Sequence, residues 1–299
     1  MTHSQLTHPH VTAELVLVST PIGNLGDQSP RATQAMQSAA LICCEDTRRT
    51  GKLLSHLGIS GVRMAVVNEH TEVARTGDVL ALLAEGASVA VVTDAGTPGI
   101  SDPGMRLVQA AIAHGHRVSA VPGPAALVMA LVISGFDTTR FVFEGFLPRS
   151  GQARTTRLRE IAPEHRTVVL YEAPHRVVRT VNDLSTVCGD TRQVALAREL
   201  TKLHEEVWRG TLADAAAHLA QHEPRGEYVV VLQGAPAAVD ATDDDLRDAL
   251  RMALDAGDDQ RAAIATVMSA HGASKRRVYD LALELRKAAA AGHPSTPTP

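Results

Sequence analysis

Asp94, Ser101 and Asp102 stand in the segment TDAGTPGISDPG, residues 93–104, among Gly96, Gly99, Gly104, Pro98 and Pro103. Carboxylates hydrogen-bond hydroxyls and amines, and glycines let backbone come close to a ligand. Core packing seldom calls for that mixture in so short a run, whereas a ligand-binding loop does. The segment TPIGNLGD (20–27) brings Pro21, Ile22, Gly23 and Asn24, and a third short loop holds Pro122, Gly123 and Pro124. EDTRRTGK (45–52) sets Glu45 and Asp46 beside two arginines and a lysine. That is the composition of a site rim, or of a solvated helix start capped by Asp46 or Thr47. Further polar groups follow at Asn68, Glu69 and His70, at Tyr171 and Glu172, and along Arg198, Glu199, Leu200, Thr201 and Lys202.

Two kinds of chemistry are open to the polar residues of this chain, proton transfer and phosphate binding. Glu45, Asp46, Glu69, Glu172, Glu199 and Lys202 are candidate proton handlers. A lysine whose pKa is depressed by burial or by a neighbouring arginine can act as a base, with an acid orienting it. Lys202 with Glu199 ranks first, since both occupy one strand-end turn; simple ion pairing is the plainer alternative. Metal chemistry finds no support, because Cys43, Cys44, Cys188 and the scattered histidines lack ligand spacing. Phosphate binding has a candidate patch at Arg149, Arg154 and Arg157, the last two placed to share a helix face. Lys275 and Arg276, with Arg261 and Arg277, form a second basic cluster.

The elements that must position these groups alternate strand and helix. Apolar runs at 14–19, 41–44, 63–67, 88–93 and 117–121 predict five strands, each ending in one of the polar loops. In a parallel sheet those ends share an edge, so the loops converge on one cleft. SGFDTTR (134–140) breaks the pattern. Strands at 141–146, 167–171, 194–197, 207–210 and 227–232 then predict a second, mixed sheet. The expected organisation is a disordered tail at 1–13, α/β domains at 14–136 and 137–236, a small helical domain at 243–290 and a disordered tail at 291–299. The chain has 29 Lys and Arg against 33 Asp and Glu, a net charge of -4, so no global basic field marks a nucleic-acid binder, although a local patch can. Three cysteines, no signal-like N-terminus and no long apolar run predict a soluble cytoplasmic protein without membrane contact.

Taken together and in order, TPIGNLGD, CEDTRRTGKLL (44–54), TDAGTPGISDPG, VPGPAAL (121–127), FEGFLPR (143–149), YEAPHR (171–176) and ARELTKLHEE (197–206) resemble the bacterial ribosomal RNA small subunit methyltransferase I family, which 2'-O-methylates a cytidine of 16S rRNA. The resemblance implies the tetrapyrrole-methylase fold, two α/β domains with S-adenosylmethionine between them, acting on 16S rRNA in the 30S subunit as a homodimer. It also implies a cofactor pocket built from Pro21 to Asn24, Asp94, Ala95, Gly96, Ser101, Asp102, Pro122 to Pro124, Tyr171 and Arg198 to Thr201. The chain departs from the family pattern twice. Val67 stands where a histidine often precedes Asn68 and Glu69, and Gly99 replaces a larger apolar residue.

Two other readings compete. A tetrapyrrole methyltransferase on the same fold would carry a different, GDP-type loop in place of TDAGTPGISDPG and would give the basic residues no task. An RNA-binding assembly protein with a relic cleft would fail to bind S-adenosylmethionine. A nicotinamide enzyme is disfavoured because Gly23 and Gly26 do not make GxGxxG.

Overall fold

The computed structural model describes residues 13–68, 71–236 and 241–291; apart from Ala13 and Ala291, which closes the last helix, the expected tails lie outside these residues. Residues up to Ala235 form one compact unit, and those from Pro236 onward form a second.

The first unit holds two five-stranded sheets. In the first, β1 (Glu14–Val18), β2 (Leu41–Cys44), β3 (Arg63–Val66), β4 (Val89–Val92) and β5 (Arg117–Val121) are all parallel, in the order β3-β2-β4-β1-β5. The run that reads as the strand before the glycine-rich loop is therefore the middle strand. Helices α1 (Pro30–Ser38), α2 (Thr47–His56), α3 (Glu72–Ala84) and α4 (Met105–Ala113) connect the strands. Alternate residues feed opposite cores. Val16, Ile42, Ala90 and Val92 pack with Met36 and Leu54, while Leu15, Leu41, Val89 and Val91 pack with Val79, Leu83 and Leu107. A sheet covered on both faces explains why these strands are continuously apolar in sequence.

The second sheet has the order β6-β7-β10-β8-β9, built from β6 (Phe141–Phe146), β7 (Thr167–Glu172), β8 (Gln193–Arg198), β9 (Glu206–Thr211) and β10 (Tyr228–Leu232). Only β6 and β7 run parallel; the other neighbours are antiparallel, and the 199–205 turn joins β8 to β9. One face packs on α6 (Gly151–Ile161), α7 (Pro174–Cys188) and α8 (Leu212–Gln221) through Leu158, Val177, Val181, Leu184 and Leu212. The other receives α5 (Ala126–Ser134), whose Leu127, Ala130 and Leu131 meet Val169, Ala195, Val229 and Val231. The sequence assigns α5 to the first domain, but its packing joins it to the second sheet. Arg209 of β9 reinforces this by donating to the Ser134 carbonyl at 3.0 Å.

The C-terminal unit is a trio of helices, α9 (Asp243–Asp255), α10 (Gln260–His271) and α11 (Lys275–Ala291), around Leu246, Leu250, Ile264, Val267, Val278 and Leu281. Thr242 and Asp245 form a capping box at the start of α9, and Gly272 ends α10 in the left-handed conformation at φ 62°. No helix among the described residues is long and apolar enough to cross a membrane.

Candidate functional site

The loops leaving β1, β4 and β5 are bonded to one another before any ligand is considered. Thr20 and Gly96 exchange backbone hydrogen bonds of 2.9 and 3.1 Å. The Thr20 hydroxyl donates to the Thr93 carbonyl at 3.1 Å, and Thr97 Oγ1 bonds both Ser19 Oγ (3.1 Å) and the Pro124 carbonyl (3.2 Å). Two glycines are dictated by this closeness. Gly96 lies at φ 85°, where a side chain is strained, and a Cβ on Gly123 would sit 2.7 Å from Ser19 Cβ. Gly23 is needed for a different approach: a Cβ there would fall 2.4 Å from Lys202 Cγ, so this loop seats directly on the 200–202 turn of the second sheet.

Between these loops and the second sheet lies a cleft of about 520 Å³. Its acidic side presents Glu45, Asp94 and Asp102, and its apolar side presents Ile22, Ile100, Ala126, Phe146 and Leu200. Tyr171 rises from the end of β7 with its ring edge-on to Phe143 at 4.9 Å, and its hydroxyl accepts the Leu127 amide at 3.2 Å. That contact serves the start of α5, which has no side-chain cap of its own. A larger groove of about 590 Å³ runs along β3 and α3, but none of the loop glycines lines it.

The Glu45 charge disfavours ionisation of both neighbouring carboxyls, Asp94 and Asp102. Glu45 accepts the Thr93 hydroxyl and, at 3.1 Å, the Asp94 amide. Burial followed by the neighbouring Glu45 charge pushes the Asp102 pKa up to about 6, against a smaller opposing pull from the Thr93 hydroxyl. Burial and Glu45 also raise Asp94, against the pull of Arg49, whose Nη1 lies 3.3 Å from Asp94 Oδ2. Asp94 Oδ1 is buried and has no hydrogen-bond partner among the described residues. A cleft with an unpaired buried acceptor, crowded carboxylates and an apolar wall suits a ligand that is cationic at one end and flat and apolar at the other.

Backbone strain clusters here as well. Ser101, Glu199 and Thr201 are the non-glycine residues with positive φ among the described residues, at 63°, 50° and 66°. All three sit at the cleft or in the turn beside it, where the surrounding packing must hold them.

Several expected site residues take other roles. Pro21, Gly23, Asn24, Pro122, Gly123, Pro124 and Thr201 stand in the same loops and turn but outside the lining of the cleft: Gly23 seats on the 200–202 turn, Gly123 against Ser19, Pro124 accepts from Thr97, and Asn24 caps the short turn at Leu25–Asp27. Arg198 points to the far side of the second sheet, where it pairs with Glu206 at 2.7 Å in a groove with Trp208 and His218. Asp46 is the N-cap of α2 and is clasped by Arg48, whose side-chain and backbone hydrogen bonds hold its pKa below the usual carboxylate range. Lys202 does line the cleft, yet it is not a depressed base. Burial would lower its pKa, but hydrogen bonds to Glu199 (2.8 Å) and Glu227 (2.7 Å) outweigh that and raise it. Burial likewise works against the Glu199 charge, and the Lys202 bond overrides it, leaving that pKa lowered. Glu69 and His70 lie outside the described residues.

The Arg149–Arg157 patch also changes character. Arg154 is 3 % exposed and donates to Asp183 (2.7 Å), Thr180 (3.0 Å) and the Pro148 carbonyl (3.1 Å). It heads the inward stripe of α6 with Leu158 and Ile161, four and seven residues on, and that spacing was the available signal. Arg157 faces out but is held by Glu144 and Glu160. Of the trio, only Arg149 is exposed with its charge unpaired among the described residues.

Other residues carry weight without having been singled out. Thr93 and Arg49 sit inside recognised motifs, whereas Glu227 belongs to none and becomes visible only through Lys202. Glu72 is buried and accepts the amides of Gly104, Arg106 and Leu107 at 3.1, 2.9 and 3.2 Å, capping α4 and fixing the far end of the glycine-rich loop.

Comparison with known proteins agrees with this geometry. Residues 14–216 match the tetrapyrrole (corrin/porphyrin) methylases. Ribosomal RNA small subunit methyltransferase I of Synechocystis sp. is 45% identical over 273 residues, 91% of this chain and 98% of that one. Its counterpart from Thermotoga maritima is 44% identical over 221 residues, 74% of this chain and 98% of its own length. The crystal structure of the methyltransferase CobJ superposes with a TM-score of 0.56 at 21% identity, over 76% of this chain and 95% of that one, a likeness of fold. The chain belongs to the tetrapyrrole methylases and, among them, to the ribosomal RNA small subunit methyltransferase I family.

Proposed function

We propose that this chain transfers the methyl group of S-adenosylmethionine to the ribose 2'-hydroxyl of a cytidine in 16S rRNA of the small ribosomal subunit, acting as a homodimer. The observation that carries the reading is the relationship to ribosomal RNA small subunit methyltransferase I over nine-tenths of the chain (91%). The cleft is chemically suited to the cofactor. Asp94 Oδ1 offers a buried acceptor with no donor among the described residues, Glu45 and Asp102 favour a cation, and Ile22, Ile100, Ala126, Phe146 and Leu200 suit an adenine ring. Bound there, S-adenosylmethionine supplies a methyl carbon on a positively charged sulfur.

What remains for the protein is to hold hydroxyl and methyl in line, exclude water and receive the hydroxyl proton. Lys202 is a poor proton acceptor, because its ammonium is stabilised by two carboxylates. Asp102 and Glu45 fit the role better, with Lys202 as a fixed positive charge in the same cleft. Among the described residues no group of His, Cys, Asp and Glu is arranged to hold a metal ion.

The test is incubation of purified 30S subunits with the protein and methyl-labelled S-adenosylmethionine, followed by mapping of the labelled nucleotide. Label on a cytidine ribose is expected. Label appearing on uroporphyrinogen and none on 30S would transfer the assignment to tetrapyrrole methylation.

A further inference from the structure

Of the arginines that read from sequence as a phosphate patch, Arg154 is buried and Arg157 is paired, so only Arg149 stays exposed and unpaired among the described residues, and a single arginine does not make a track for a polyanion. Helix α2 supplies a cationic surface that begins at the cleft itself. Its sequence, TRRTGKLLSH, contains no acid. Thr50 and Leu54 are buried, and the outer face carries Arg48, Arg49, Lys52, Ser55 and His56. Arg49, Lys52 and His56 follow one another at three and four residues, so they form a stripe about 10 Å long.

One end of this stripe is at the reaction site. α2 leaves the carboxyl end of β2 just after Glu45, and both Glu45 and Arg49 line the cleft. The other end runs out to His56 at the far end of the helix. Arg48 is committed, since it clasps Asp46 through two side-chain bonds of 3.1 and 2.7 Å. Arg49 is not. Its 3.3 Å contact to Asp94 is single, and its side chain is 69% exposed. An exposed pair of this kind is weak and exchanges readily for another anion. Lys52 and His56 make no ion pair among the described residues.

We infer that the outer face of α2 is the track on which the RNA backbone lies, with Arg49 and Lys52 each contacting a phosphate as the target ribose enters the cleft. The inference rests on the rRNA methyltransferase reading and adds the residues that hold the strand. Charge complementarity selects a polyanion: the face is cationic with no interspersed acid, whereas the chain as a whole carries -4. Such contacts position the substrate without reading bases.

The test is the salt dependence of binding to 30S subunits. Each phosphate contact with single-stranded RNA contributes about 0.7 to the slope of log affinity against log salt. Lys52→Gln should lower the slope by about 0.7, and Arg49→Gln with Lys52→Gln by about 1.4. Over a fourfold rise in salt the wild type should then lose about sevenfold more affinity than the double variant. Lys52→Arg should restore the slope. S-adenosylmethionine affinity of Lys52→Gln, measured by calorimetry, should stay at the wild-type value and report an intact fold. A photoreactive side chain at position 56 of the 30S-bound enzyme should give a nuclease-sensitive adduct.

An unchanged slope in the double variant, with 30S methylation by the wild type intact, would overturn the track and leave the activity standing. A nuclease-resistant adduct to a ribosomal protein would overturn it in favour of a protein contact. A wild type that neither binds nor methylates 30S would remove the reading and the track together.

Discussion

At the residue scale, the cleft is governed by carboxylates that cannot all be charged comfortably. Asp102 has a pKa near 6, against a reference of 3.8, because burial and the Glu45 charge oppose its ionisation. Between those values the folded chain holds a proton that the unfolded chain has released. Stability therefore falls as pH rises through that window, and the penalty is complete above about pH 6. Asp102→Asn should remove it. Without cofactor, the variant should melt higher than the wild type at pH 7.5, with the gap closing toward pH 4. Its affinity for S-adenosylmethionine should drop, because a negative group facing the cation is gone. Equal melting temperatures across that range would show that Asp102 is not held under charge repulsion.

The element scale is set by how helices obtain partners for their ends and stripes. Ser29 caps α1 ahead of Pro30, as its position before a proline suggests, whereas α4 begins at Gly104 and borrows Glu72 from another helix. Helix α6 hides a charge: Arg154 takes the place of an apolar residue and ties α6 to Asp183 and Thr180 of α7. Thr180 in turn donates to Glu172 at 2.6 Å, beside Tyr171 at the cleft. Arg154→Ala should lower unfolding free energy by about 3 kcal/mol, the low end for breaking a buried pair, since Asp183 keeps some contact with water. Urea titration measures this. The same variant should leave the salt slope of 30S binding unaltered. A loss of slope with full stability would return Arg154 to the RNA interface.

At the scale of the whole molecule, α5 stands out because it is apolar on every side. Its inner residues cover the second sheet, while Val128, Met129, Val132 and Ile133 remain exposed along an adjoining stripe. An uncovered apolar helix face of this kind is what a second copy of the chain would bury. Sedimentation should give twice the chain's 31.7 kDa, and Val132→Asp should reduce it to the monomer mass while the melting transition persists. A monomeric wild type at micromolar concentration would discard the dimer.

The strands, the loops at their ends and the family kinship were legible in the sequence, because each rests on local order. Apolar runs mark strands whatever surrounds them, and motifs such as TDAGTPGISDPG keep their spacing along the chain. Asp46 as the cap of α2 is local in the same sense. The state of the charged side chains was not legible, because it depends on partners far away in sequence. Lys202 reads as a candidate base until Glu227 closes on it, and Arg154 reads as a surface arginine until Asp183 meets it. Arg198 and Leu200 are two residues apart, yet one faces a groove behind the sheet and the other the cleft. Burial and ion pairing are properties of the assembled surfaces, so the sequence by itself determined where the cleft is built, and only the tertiary structure decided which of its charges are free to act.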